Sequence, residues 1–280
     1  MTNGISRRDA LRVGAGVVLG GMAGGLLSSA AQAVPLEVSP MNPPRSATQT
    51  FGMIRSGDAR HHYVAVKRRV QPETRTIANP LVSGNRWTTS FHVFLVDWQA
   101  LDSTEILVPV SMGAPQEVVD RAYLYADTLS LIPRELRRLV KTINVIPGEH
   151  NITGGGGNIN IFTGAKYPLA NYPNMFVHEA AHTYNNEMRK DSAALARWRA
   201  AVDADRRAGG PLGGFISGYA AEHPDSEDFG ESLNAWIAVR FHQDRLNAVD
   251  PRYAPFIRSQ IPNRIAFFRS LDMDLRPLQI

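Results

Sequence analysis

Cysteine is absent from the 280-residue chain. That absence excludes disulfide staples, thiolate metal sites, thiol nucleophiles and a lipid-bearing cysteine. No Gly-x-Ser-x-Gly run occurs, which excludes a serine nucleophile elbow. The one low-complexity patch outside the N-terminal region, Gly154-Gly155-Gly156-Gly157, is followed by Asn158-Ile159-Asn160 and not by Gly-Lys-Ser/Thr, so it cradles no phosphate. Gly14-Ala15-Gly16 has no strand before it, which removes a dinucleotide reading. Long blocks of like charge are missing too. With a formal charge of +4 and basic residues dispersed except for short clusters such as Lys67-Arg68-Arg69, nothing points to nucleic acid.

What is present begins with an address. Ser6-Arg7-Arg8-Asp9-Ala10-Leu11-Arg12 carries the paired arginines of a twin-arginine export signal, and the apolar, glycine-rich stretch 13–27 is too short to span a bilayer. Ala31-Gln32-Ala33 supplies a signal-peptidase pattern, so residues 1–33 are expected to leave and the mature chain to start at Val34. Arg7, Arg8, Arg12 and Asp9 take +2 with them, leaving about +2 on the remainder. The expectation is a protein handled by the twin-arginine export machinery and released outside the cytoplasm, with no stable membrane insertion after cleavage. About 247 residues then remain, enough for one large domain or two small ones.

Pro35, Pro40, Pro43 and Pro44 mark residues 34–49 as a tether. Runs rich in β-branched and aromatic residues predict strands at 62–70, 89–96 and 105–110, making 50–112 a strand-rich N-terminal part. Helical spacing takes over at 115–131, where Val118, Ala122, Tyr125 and Leu129 recur, with a short helix at 133–140. Strands follow at 142–146 and 158–163. Asn174 is then expected to cap a helix reaching about residue 189, a further helix covers 193–207, and Ser226 is expected to cap one containing Phe229, Leu233 and Trp236. Strands first and helices later predict an α+β fold, with residues 113–280 as the part that carries the chemistry, or 50–280 as a single domain.

That chemistry centres on His178-Glu179-Ala180-Ala181-His182. On a helix, His-x-x-x-His sets two imidazoles one turn apart on one face, within reach of a single ion, while the intervening Glu lies beside its open position. A catalytic zinc takes a third protein ligand. The metzincin pattern would need Gly at 185 and His at 188, whereas this chain has Asn185 and Met188, so the ligand must come from farther along. Downstream, Glu227 and Glu231 fall one turn apart at the start of a helix, where one carboxylate can bind metal while the other orients a ligand histidine. His61, His62, His92, His150 and His242 lack ligand-like partners in sequence and read as structural or surface histidines.

His178-Glu179-Ala180-Ala181-His182, then Tyr219-Ala220, then Glu227-Asp228-Phe229-Gly230-Glu231 resemble the active-site pattern of gluzincin peptidases related to anthrax lethal factor and the proline-proline endopeptidases. The stretch from Thr142 through Ile261-Pro262-Asn263-Arg264-Ile265 also resembles secreted bacterial proteins that carry the motif. Gly230 stands where the peptidases usually have alanine, and the gap from Tyr219 to Glu227 is about a residue longer. The resemblance covers roughly the second half of the mature chain. It implies a zincin-like fold with one Zn2+ per chain, Glu227 as third ligand and Tyr219 as oxyanion donor.

On this reading the protein is a secreted zinc endopeptidase acting on a peptide or protein substrate. Zinc polarises the carbonyl and activates water, with Glu179 as general base and Glu231 behind a ligand histidine. Tyr219, with His223 second, is expected to donate to the oxyanion. Asn158, Ile159, Asn160 and Ile161 are expected to offer an edge strand to an extended peptide, and residues 144–157 a rim over the cleft. The alternatives are a zinc-bearing binding protein without turnover, against which Glu179 speaks because it is not needed to hold metal, and a zinc amidase acting on cell-wall peptide.

Overall fold

The structure is a computed structural model and describes residues 43–79, 86–99, 102–165 and 167–278. The leader and the first part of the expected tether lie outside the described residues. Described residues form a mixed α+β arrangement. A short helix α1 (Ala47–Phe51) precedes four strands, β1 (Tyr63–Arg68), β2 (Glu73–Ala78), β3 (Arg86–Trp98) and β4 (Ser103–Pro109). Helices α2 (Pro115–Ser130) and α3 (Arg134–Arg137) lead to β5 (Thr142–Ile146), β6 (Thr153–Gly155) and β7 (Asn158–Phe162). The remainder is helical: α4 (Tyr172–Met188), α5 (Ser192–Ala208), α6 (Gly218–Glu222), α7 (Asp228–Phe241), α8 (Gln243–Val249), α9 (Tyr253–Gln260) and α10 (Pro262–Ser270). Among the described residues no helix is long and apolar enough to cross a membrane.

All seven strands join one sheet in the order β1-β3-β4-β5-β7-β6, with β2 also paired to β3. The long strand β3 pairs β1 through residues 94–98 and β2 through residues 86–91, so one interrupted edge runs along it. Strands β4, β5 and β7 run parallel, while β6 pairs antiparallel to β7. Period-2 alternation divides the sheet's faces. Phe94, Val96, Ile106, Val108, Ile143, Val145, Ile159 and Ile161 enter the main core, shared with residues of α2 and α4. On the other face Phe91, Val93 and Leu107 make a small apolar cluster. Farther along that face, Asn144 Nδ2 donates to Asn160 Oδ1 at 2.8 Å, and Asn160 Nδ2 donates to Thr153 Oγ1 at 3.2 Å.

Four expectations are corrected here. The tether does not extend to residue 49: Pro44 is buried, Ser46 caps α1, and the Pro44 and Arg45 carbonyls accept from the Gly218 and Tyr219 amides at 2.9 and 2.8 Å. Asn174 is no cap. It lies inside α4, where its side-chain amide accepts from the Ile54 amide at 3.0 Å and donates to the Ile54 carbonyl at 3.1 Å. Nor does Ser226 cap α7, because that position falls to Glu227. Finally, Asn158, Ile159 and Asn160 are paired on both sides, to β5 and β6, and offer no edge, while Ile161 pairs with Val145 of β5 alone. The edge belongs to β6, reached through a two-residue turn at Gly156-Gly157 with φ of +59° and +85°, values that glycine adopts without penalty.

Candidate metal centre

Helix α4 starts with a proline in its first turn and runs under the sheet, with Phe176, Val177, Ala180 and Ala181 in the core. The same helix turns His178, Glu179 and His182 into a cleft of about 410 Å³. Helix α7 crosses behind it. Gly230 eases that approach, because a Cβ there would stand 3.0 Å from the His178 ring, so that an alanine would need the ring to give way by a few tenths of an ångström.

His178, His182 and Glu227 each present one donor atom, all within 4.8 Å of one another, and the three could hold a metal ion. His178 Nε2 lies 3.0 Å from Glu227 Oε2, and His182 Nε2 lies 3.5 Å from the same oxygen. At the cap of α7 the Glu227 side chain makes no capping bond, since its carboxylate turns to the two histidines. Burial works against the charge on Glu227, but the hydrogen bonds and charges of His178 and His182 hold its pKa far below the usual carboxylate range. Burial likewise lowers His178, yet its Glu227 hydrogen bond and the charges of Glu179, Glu231 and Glu227 outweigh that and bring it to about 9.

Glu179 stands apart from this set. Only 5% exposed, it has Oε2 3.9 Å from His182 Nε2, and burial raises its carboxyl to about 7. Strand β6 lies directly against it: a Cβ on Gly154 would fall 2.5 Å from Glu179 Cβ, so glycine allows the edge strand to press onto the motif helix. Tyr219, on α6, lines the same cleft, and burial followed by the charges of Glu227, Glu179 and Glu231 pushes its hydroxyl up to about 12. His223 is exposed and is not among the lining residues; its ring packs edge-on against Tyr219 at 5.0 Å. Part of the expected rim does line the cleft, through residues 151–154.

Glu231 is 1% exposed and satisfied almost entirely by the segment before the sheet. It accepts from Ser46 Oγ at 3.1 Å, from the amides of Ala47 and Thr48, from Thr48 Oγ1 at 2.8 Å and from Ser217 Oγ at 2.7 Å. Thr48 was not legible as a site residue. Its hydroxyl lies 2.9 Å from His178 Nδ1 and 3.2 Å from Asn234 Nδ2 while donating its one proton to Glu231. That arrangement keeps the proton on His178 Nδ1 and leaves Nε2 for the metal face. Ser46, which caps α1, lay within the expected tether, and nothing local in sequence joins Thr48 to a histidine 130 residues away.

Thr48→Val is therefore expected to weaken metal binding about 10- to 100-fold, the cost usual for losing a partner behind a ligand histidine. Thr48→Ser, which keeps the hydroxyl, is expected to bind as the parent does. Competition with a chelator measures both, and equal affinities for the valine variant and the parent would remove Thr48 from the site.

No protein-family model, curated protein or solved structure matches this chain.

Proposed function

We propose that the protein is an exported, zinc-dependent endopeptidase of zincin type, with a gluzincin ligand set of His178, His182 and Glu227. The observation that carries the reading is the convergence of two imidazoles and one carboxylate on a single point, with a second, separate carboxylate beside it. Donors sharing a tetrahedral zinc at about 2.0–2.1 Å stand roughly 3.3 Å from one another. The separations of 3.0 and 3.5 Å bracket that spacing. Two nitrogens and one oxygen, with an open side toward a cleft, also suit zinc better than the all-oxygen shells of calcium or magnesium.

A zinc ion held there would supply Lewis-acid polarisation of a carbonyl and a bound water acidified to about 7. The chain's own residues account for the rest. Glu179, with a carboxyl raised by burial to about 7, is poised to take a proton from the attacking water and return it to the leaving amine near neutral pH. Tyr219 stays protonated far above neutral pH and so has a proton to donate to the developing oxyanion. In this reading the unpaired side of β6, and not β7, takes the main chain of an extended peptide alongside Glu179. Thr48, Glu231 and Ser217 hold His178 in orientation from behind. Export follows from the leader read in sequence.

Metal analysis and cleavage assays on the purified protein test the proposal. The expected outcome is about one zinc per chain and hydrolysis of extended peptides, abolished by chelation and restored by zinc. Protein without zinc would overturn the metal assignment. Fully loaded protein that cuts muropeptides but no linear peptide would replace the endopeptidase with an amidase on the same centre.

A further inference from the structure

Away from the metal cleft, a second cavity of about 180 Å³ is lined by His61, His62, Gln99, Arg134, Arg137 and Arg276. It shares no residue with the lining of the first. Arg137 is the unusual member. Its side chain is 2% exposed, and its guanidinium carbon sits 4.3 Å from the centre of the Trp98 ring. Among the described residues Nε and Nη1 are buried without an acceptor, and Nη2 stands 3.6 Å from Asp102 Oδ2, beyond hydrogen-bond length. A guanidinium carries five donors and stays charged in proteins, so leaving it unbonded in the interior is a costly arrangement. Burial lowers this one only to about 10, still cationic at neutral pH.

The nearby acids do not relieve it. Asp274 accepts from Arg276 Nε at 2.9 Å and from Arg134 Nη1 at 3.2 Å, which commits it to those two side chains. His61 donates through Nε2 to the Arg276 carbonyl at 2.8 Å, and burial holds its pKa below the ordinary value, so it adds polarity to the wall without charge. Three arginines against Asp102 and Asp274 leave a net positive cavity. Its volume lies well under the roughly 300–1,000 Å³ of pockets for drug-sized ligands, which fits a group of a few heavy atoms.

We propose that this cavity binds a small oxyanion, either a phosphate or sulfate group or a carboxylate, with Arg137 as its buried anchor and Arg134 and Arg276 beside it. Guanidinium groups match such oxygens in paired geometry, and the occupant supplies the negative charge that Asp102 and Asp274 leave short against three arginines.

Thermal melting of the full chain tests this without reference to activity. Chloride is exchanged for phosphate, sulfate or acetate at constant ionic strength, so that general screening is the same throughout. In the parent protein a saturable rise in Tm is expected, about 5 to 10 °C at a hundredfold excess over Kd. Arg137→Met, which keeps an apolar stem against Trp98, and Arg276→Gln, at a side chain 60% exposed, should both lose the rise. If Arg137→Met fails to fold, Arg276→Gln decides alone. A rise with phosphate and sulfate only assigns a tetrahedral oxyanion, and a rise with acetate as well assigns a site open to carboxylates. Identical melting in all four salts, or a rise of the same size in the variants, would overturn the proposal.

Discussion

Glu179→Gln is expected to cut peptide hydrolysis by about 10²- to 10⁴-fold, the range associated with losing a positioned general base, while zinc content stays at the parent level. The amide has the shape of the carboxylate and cannot accept the water's proton. Metal should remain because Glu179 is not one of the three converging donors, its carboxylate standing 3.9 Å from His182 Nε2. Folding should not suffer either, since burial already disfavours the charged carboxylate and glutamine brings no charge into the site. Glu227→Ala gives the opposite pattern: the oxygen shared by both histidines is lost, so metal content falls and activity falls with it. Kinetics and metal analysis on the two variants separate the roles. Full turnover in Glu179→Gln would remove the general base from the mechanism, and undiminished zinc in Glu227→Ala would remove the third ligand.

The parts of this site that could be read from sequence are those set by local periodicity. His178 and His182 are four residues apart on one helix, and helix geometry alone brings their rings together, with centroids 4.8 Å apart. Glu227 and Glu231 were legible for the same reason, and the Glu231 amide does bond the Glu227 carbonyl at 3.0 Å. Which carboxylate faces the metal was not local. It depends on Ser46, Ala47, Thr48 and Ser217 surrounding Glu231, contacts that join residues up to 185 positions apart. The same distinction explains the strand error. Asn158–Phe162 has the alternation of a strand and is one, but pairing on its second side comes from Thr153-Gly154-Gly155, a three-residue strand in which both glycines have little β propensity and Gly154 packs on Glu179. Ser226 and Asn174 were misread as caps because both have the chemistry of a cap, while tertiary contacts assigned that place to another residue or drew the side chain to another backbone. The α+β order of elements survived such errors, since composition along the chain fixes it without help from any single contact.

A second large effect is expected at Arg264, which does not line the cleft. Its side chain is fully buried, donating from Nε to Asp228 Oδ2 at 3.0 Å, and from Nη1 to Asp205 Oδ2 at 3.1 Å and to the Gly214 carbonyl at 2.6 Å. Asp205 also holds the Asn263 amide at 2.9 Å, so the group ties α5, α7 and α10 together at the first residue of α7. Arg264→Met leaves buried carboxylates without their cation, a change that costs about 3 to 5 kcal/mol. At about 2 to 4 °C per kcal/mol for a domain of this size, Tm should fall by roughly 6 to 20 °C. The loss should also depend on pH in a defined direction. Burial already holds the Asp228 carboxyl above its ordinary value, with Arg264 as the chief opposing influence; removing the guanidinium raises that carboxyl further. A folded-state pKa above the unfolded one means stability that is present at low pH and lost as pH rises, so the deficit of the variant should be smaller at pH 5 than at pH 7. Because Asp228 adjoins Glu227, weaker zinc affinity should accompany the lower melting point, linking this charge cluster to the metal centre through the start of one helix. A variant that melts within a degree or two of the parent at both pH values would show that Arg264 fills space and carries no such link.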